Sequence, residues 1–163
     1  MSLDANALVA LLREKSLKIA LAESCTGGFV AKLITDIDGS SSVFECGIVS
    51  YSNGIKSSVL GVSEDSLQKY GAVSETVARE MAKGALRVSG ADIAVGISGI
   101  AGPRSDNTQK PVGLIYISVA NRNTDIVQEF RTAFCENIRE NNRCFAAENA
   151  LRMAEKFISD NYS

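Results

Sequence analysis

Histidine is absent from this chain, and so is tryptophan. The first absence removes the side chain most often used as a general base and the commonest metal ligand. Any hydroxyl nucleophile must hand its proton to Lys, Asp, Glu or Tyr. The second absence, with aromatics at only 6%, argues against a stacking platform for nucleic-acid bases. Positive charge is not in excess either. Lys and Arg number 17 against 19 Asp and Glu, a formal net charge of -2. That argues against nucleic-acid binding through a general positive field.

No apolar run approaches the roughly 20 residues that span a bilayer, so no membrane partner is expected. The four cysteines, Cys25, Cys46, Cys135 and Cys144, show no C-x-x-C spacing. No metal site is therefore expected. Prolines number two, Pro103 and Pro111. They bracket a polar stretch, Arg104 to Lys110, which is the expected mobile loop.

The 163 residues, 45% of them hydrophobic, suit one globular domain over 1–163. The polar start Ser2-Leu3-Asp4-Ala5-Asn6 opens an amphipathic pattern rather than a signal peptide, so a soluble, cytoplasmic protein is expected. Ala7, Leu8, Leu11 and Leu12 recur at helical spacing, with Asp4 as N-cap and Leu3 stapling to Leu8. Leu17–Ala22 reads as a buried strand. A glycine turn follows, then a helix from Phe29. Ser40–Phe44 reads as a short helical turn with Ser42 and Glu45 as a capping box. Gly47–Tyr51 is a second strand, and Ser52 or Asn53 caps a helix to about Leu60. Ser74 caps a helix over 75–89, whose stripe includes Val77, Met81 and Ala85. Ile93–Ile97 is a third strand. Val112–Ala120 and Ile126–Phe134 form a hairpin, and a last helix covers about 137–159. Strands and helices interleave, which predicts a layered α/β fold with a mixed sheet.

Small-residue strings interrupt this pattern. Ser24-Cys25-Thr26-Gly27-Gly28 lies between a strand and a helix, where unpaired N–H groups could receive a phosphate or carboxylate. The same string also fits a plain capped connection. It is neither a Walker A loop nor a G-x-G-x-x-G fingerprint. Cys25 is a conceivable nucleophile. Ser41 follows Gly39-Ser40, Tyr51 ends a strand, and Lys56 lies in an early helical turn. A Ser-Lys pair is the known arrangement where His is missing. Such a lysine must come down from about 10.4 to roughly 7–8, a shift worth about 3–5 kcal/mol. The alternative is a cap at Ser41 and a solvated Lys56. Ser98-Gly99-Ile100-Ala101-Gly102-Pro103 follows a strand, where α/β sheets gather ligands. Arg139 and Arg143 share a helix face and could grip an anion or simply pair with Glu136 and Glu140.

Taken together, these strings resemble the CinA C-terminal domain family, which includes nicotinamide-nucleotide amidases (PncC). The resemblance runs over nearly the whole chain. It covers Ala22–Gly28, Gly39-Ser40-Ser41, Ser50–Asn53 with Lys56, Leu60-Gly61-Val62, Gly71–Ser74, Ser98–Pro103 and Lys110–Gly113. It implies a three-layer α/β/α sandwich, a homo-oligomer, a pyridine-nucleotide substrate, and no cofactor. It implies hydrolysis of nicotinamide mononucleotide to nicotinate mononucleotide and ammonia. Carried over by motif, Ser41 is the nucleophile, Lys56 the base and Tyr51 their helper. Ser24, Thr26, Gly27, Gly28, Ser98, Gly99, Gly102 and Arg139 bind substrate. The chain departs from the family in two places. Arg104-Ser105-Asp106-Asn107 replaces further glycines, and Asn137-Ile138-Arg139 replaces Gly-Asp-Arg, which makes Arg143 a rival for the arginine's role. Many relatives also carry a larger N-terminal domain, absent from these 163 residues. The competing reading is a non-catalytic nucleotide-binding module related to competence or damage.

Overall fold

A computed structural model describes residues 3–163; Ser2 of the polar start lies outside them. Five strands form one sheet in the order β2-β1-β3-β4-β5. They are β1 (Ile19–Glu23), β2 (Phe44–Val49), β3 (Ile93–Gly99), β4 (Leu114–Ala120) and β5 (Asp125–Arg131). β1 pairs parallel with β2 and β3, whereas β3-β4 and β4-β5 are antiparallel. The sheet is mixed, as the hairpin predicted.

The helices are α1 (Asn6–Glu14), α2 (Phe29–Thr35), α3 (Asn53–Leu60), α4 (Glu64–Tyr70), α5 (Glu75–Ser89) and α6 (Ile138–Asn161), with a 3-10 turn at Ser40–Ser42. Both faces of the sheet are covered. Side chains of α1, α2 and α6, such as Leu8, Val30 and Phe157, join Leu21, Val95 and Ile117 in one core. Leu60 of α3 and Val77 and Met81 of α5 join Ala20, Ala22 and Ala94 in the other. Central β1 is buried at every residue, because a parallel strand between two helical layers has no wet face. This is the expected three-layer α/β/α sandwich.

Several local expectations shift. Asp4 does accept from Asn6 N–H at 2.8 Å, but the helix cap position itself is Ala5. No capping box forms at Ser42. Its hydroxyl donates to the Gly39 carbonyl, and Glu45 sits in β2 beside Lys18. Helix α4 was not anticipated, because Leu67 is its one core-facing apolar residue. Its signal was polar: Ser63 accepts from Ser66 N–H at 3.3 Å, with Glu64 and Asp65 in the first turn.

Gly84 sets the spacing between α3 and α5. A Cβ there would lie 2.0 Å from the Leu60 carbonyl oxygen. Glycine inside a helix normally costs about 1 kcal/mol relative to alanine. Here backbone contact outweighs propensity. Gly84→Ala is expected to lower stability by about 1–3 kcal/mol in denaturant unfolding, the usual penalty of overpacking. A variant as stable as wild type would show that α3 is free to shift.

Candidate active site

β1 delivers Ser24 to the carboxyl end of the sheet. Ser24 donates its own N–H to the Ile97 carbonyl at 3.1 Å, so the strand ladder reaches this far. The chain then turns into α2. Glu23 explains why the turn is rigid. Fully buried, its carboxylate accepts from Val30 N–H at 2.9 Å and Ala31 N–H at 3.1 Å. The first turn of α2 is therefore already capped by a protein carboxylate. Arg143 on α6 fixes the other side of the turn, donating to the Cys25 carbonyl at 3.2 Å and the Thr26 carbonyl at 2.9 Å.

Lys56 lies beneath this turn. Ser52 caps α3 by accepting from Ile55 N–H, which sets Lys56 one turn in and pointing at β1. The lysine is 1% exposed. Its Nζ lies 2.9 Å from Ser24 Oγ, 2.6 Å from the Ser50 carbonyl oxygen and 3.3 Å from that of Tyr51. Burial holds its pKa at about 8. A neutral amine has two N–H donors and one lone pair. The two carbonyls use the donors, which leaves the lone pair facing the Ser24 hydroxyl.

The nucleophile expected at Ser41 needs correction. Ser41 is exposed on the 3-10 turn that precedes β2, whereas Lys56 lies beyond the strand's far end. Six residues of strand separate them, roughly 20 Å. Lys56 meets Ser24 instead. The anion role expected of the Ser24–Gly28 turn also changes. Thr26 is fully buried, and Thr26, Gly27 and Gly28 do not face the cavity. Glu23 already occupies the amides of α2 that would have received an anion.

The cavity in front of Ser24 has a volume of about 540 Å³ and brings together Ser24, Tyr51, Lys56, Ser98, Gly99, Gly102 and Arg139. Ser98 is held by donating to the Ala72 carbonyl at 2.7 Å. The opposite wall, Gly71–Val73, is tied down by Lys110, which donates to the Tyr70 and Val73 carbonyls, each at 2.5 Å. The polar loop is thus anchored at its Lys110 end. Arg139 spans the mouth, donating to the Gly102 carbonyl at 3.0 Å and to the Tyr51 hydroxyl at 2.9 Å. Tyr51 therefore meets Lys56 through its carbonyl, while its phenol belongs to Arg139. The two rival arginines part company: Arg139 faces the cavity and Arg143 backs the turn. Cys25 also lines the cavity, but burial pushes its thiol up to about 12. A thiol that stays protonated is a poor nucleophile. Among the described residues, no group of three or more Cys, Asp or Glu is arranged to hold a metal ion.

Nearly the whole chain, and not the site alone, matches a known family. The CinA C-terminal domain matches residues 3–158. The chain belongs to the CinA C-terminal domain family. It is 47% identical over 146 residues to a nicotinamide-nucleotide amidohydrolase PncC from Enterobacter agglomerans, covering 88% of each chain. It is 47% identical to a CinA-like protein from Chlorobium limicola over 92% of its own length, but spans only 35% of that larger protein. A crystal structure of a CinA superfamily protein from Escherichia coli superposes with a TM-score of 0.88 at 29% identity, over 96% of this chain and 89% of that one. One from Agrobacterium tumefaciens gives 0.82 at 38%, over 94% and 96%. Among the described residues no helix is long and apolar enough to cross a membrane.

The burial of Lys56 makes a stability prediction. Its folded pKa lies near 8 and its unfolded value near 10.5. Between these values the unfolded chain holds more protons, so stability rises with pH across that window. Below about pH 8 the full penalty is present. Relative to Lys56→Met, wild type should gain stability by roughly 3 kcal/mol between pH 8 and 10.5. Parallel curves for the two proteins would mean that the amine is solvated.

Proposed function

We propose that this chain is an amidohydrolase that deamidates nicotinamide mononucleotide, with Ser24 as nucleophile and Lys56 as base. The observation that carries this reading is the 2.9 Å contact between a buried amine of lowered pKa and a strand-end hydroxyl. At a pKa of about 8, about one lysine in ten is neutral at pH 7, against about one in 2,500 for a solvated lysine. The E. agglomerans relative supplies the substrate class.

Ser24 Oγ attacks the carboxamide carbon while its proton passes to Lys56 Nζ. The carbonyl becomes an oxyanion. Among the described residues the N–H groups of Cys25 and Thr26 donate to no backbone carbonyl. The Cys25 N–H, directly after the nucleophile, is in place to receive that charge. The tetrahedral adduct collapses, the C–N bond breaks, and the leaving nitrogen takes the proton from Lys56. Water then gives a proton to the same amine and attacks the acyl ester. Nicotinate mononucleotide leaves and Ser24 regains its hydrogen. Tyr51 contributes by holding Lys56 through its carbonyl and by keeping Arg139 across the mouth. The exposed apolar side chains Val49, at the end of edge strand β2, and Ile55 and Val59 on α3 support the homo-oligomer that the family implies.

Ammonia release from nicotinamide mononucleotide tests the assignment. Ser24→Ala should lose at least about 1,000-fold in turnover, and Lys56→Ala about 100-fold or more. Ser41→Ala, a surface change far from the cavity, should stay within about twofold. The opposite ranking, with Ser41 essential and Ser24 dispensable, would sink the reading. Binding of the nucleotide without ammonia release by wild type would leave the non-catalytic module standing.

The pH profile gives a second check. Lys56 must be neutral to act, so kcat/KM should climb about tenfold per pH unit below roughly pH 8 and level off above it. A profile flat from pH 6 to 9 would exclude Lys56 as the base.

A further inference from the structure

Four lysine, arginine or aspartate side chains face the cavity: Lys56, Arg104, Asp106 and Arg139. Three of them are already committed. Lys56 is buried against Ser24 and two carbonyls. Arg139 is shared between the Gly102 carbonyl and the Tyr51 hydroxyl. Asp106 accepts from both the N–H and the hydroxyl of Thr108. Arg104 alone makes no hydrogen bond or ion pair among the described residues, although a guanidinium carries five donors. The obvious rival for binding an anion, the start of α2, is filled by Glu23.

We propose that Arg104 is a specificity residue that selects substrates carrying a phosphate monoester. The proposal rests on the amidase reading for a ligand that carries both an amide and a phosphate; the assignment of the phosphate to Arg104 goes beyond it. A planar guanidinium with its whole donor fork free matches two phosphate oxygens at once. Arg104 is exposed where it follows the Gly102-Pro103 bend, whereas Lys56 in the same cavity is buried. An elongated ligand with an uncharged amide at one end and a dianion at the other fits that separation. This residue stands where the family resemblance expects glycine, so the contact belongs to this chain and not to the shared motif.

The test is calorimetric titration of the Ser24→Ala protein, which binds without turnover. The ligands are nicotinamide mononucleotide and nicotinamide riboside, which differ only in the phosphate. Adding Arg104→Ala should weaken the mononucleotide about tenfold or more. Riboside binding should stay unchanged. Arg104→Lys should restore part of the loss, since it keeps the charge but not the fork. Equal weakening of both ligands would show a structural role and overturn the proposal. So would an undiminished mononucleotide affinity, or a parent protein with no preference for mononucleotide over riboside. Failure of wild type to release ammonia would remove the amidase reading alone, because these titrations need no turnover.

Discussion

The buried amine of Lys56 is the constraint around which this domain is arranged. Leaving a lysine head group 1% exposed is costly unless its donors are met. Here two backbone carbonyls, from Ser50 and Tyr51, come from the single link between β2 and α3. The helix that carries Lys56 also starts in that link. One short segment thus supplies both the amine and its cradle. No Asp or Glu hydrogen-bonds to Lys56 among the described residues; the neighbouring Cys25 thiol pulls the pKa up, and burial outweighs that pull. Burial alone lowers the pKa, which is the condition for a base rather than for a structural ion pair.

A lowered lysine is useful only if the serine stays in reach, and three separate elements hold Ser24. The sheet fixes its backbone through Ile97. Glu23 fastens the turn to α2 from below, and Arg143 fastens it from α6. Each of these contacts uses up a group that could otherwise have met ligand. The α2 amides and two turn carbonyls are spent on rigidity. This is why a turn with the composition of an anion site instead holds the Ser24 hydroxyl against Lys56.

The layered fold was legible because its signals are periodic. The stripe of α5, the β4-β5 hairpin and the caps at Ser52 and Ser74 are local, and the structure follows them. Helix α4 escaped because its signal was polar. The site was half legible. Lys56, Tyr51, Ser98, Gly99, Gly102 and Arg139 do converge, since residues at strand ends in an α/β sheet are gathered by topology. The choice between Ser24 and Ser41 was not. Both follow a short apolar or glycine-led run, and chain distance favours Ser41, 15 residues from Lys56 against 32. Strand direction decides the matter. β2 carries the chain away from Ser41, and parallel β1 returns Ser24 to the same end as Lys56.

The charges around the cavity follow from the same requirement. An anion bound close to Lys56 would raise its pKa and undo the effect of burial. A substrate with a phosphate is therefore best held with that group far from the amine and covered by cations. Arg139 and Arg104 both line the cavity, and neither hydrogen-bonds to Lys56. Arg139 is turned outward by the Tyr51 phenol, across the mouth. The aromatic hydroxyl thereby serves the lysine indirectly: it anchors a positive charge at the rim, where that charge can offset a phosphate without displacing the proton economy between Ser24 and Lys56. An acidic side chain placed in the cradle would reverse this division, since it would make the ammonium stable and the serine idle.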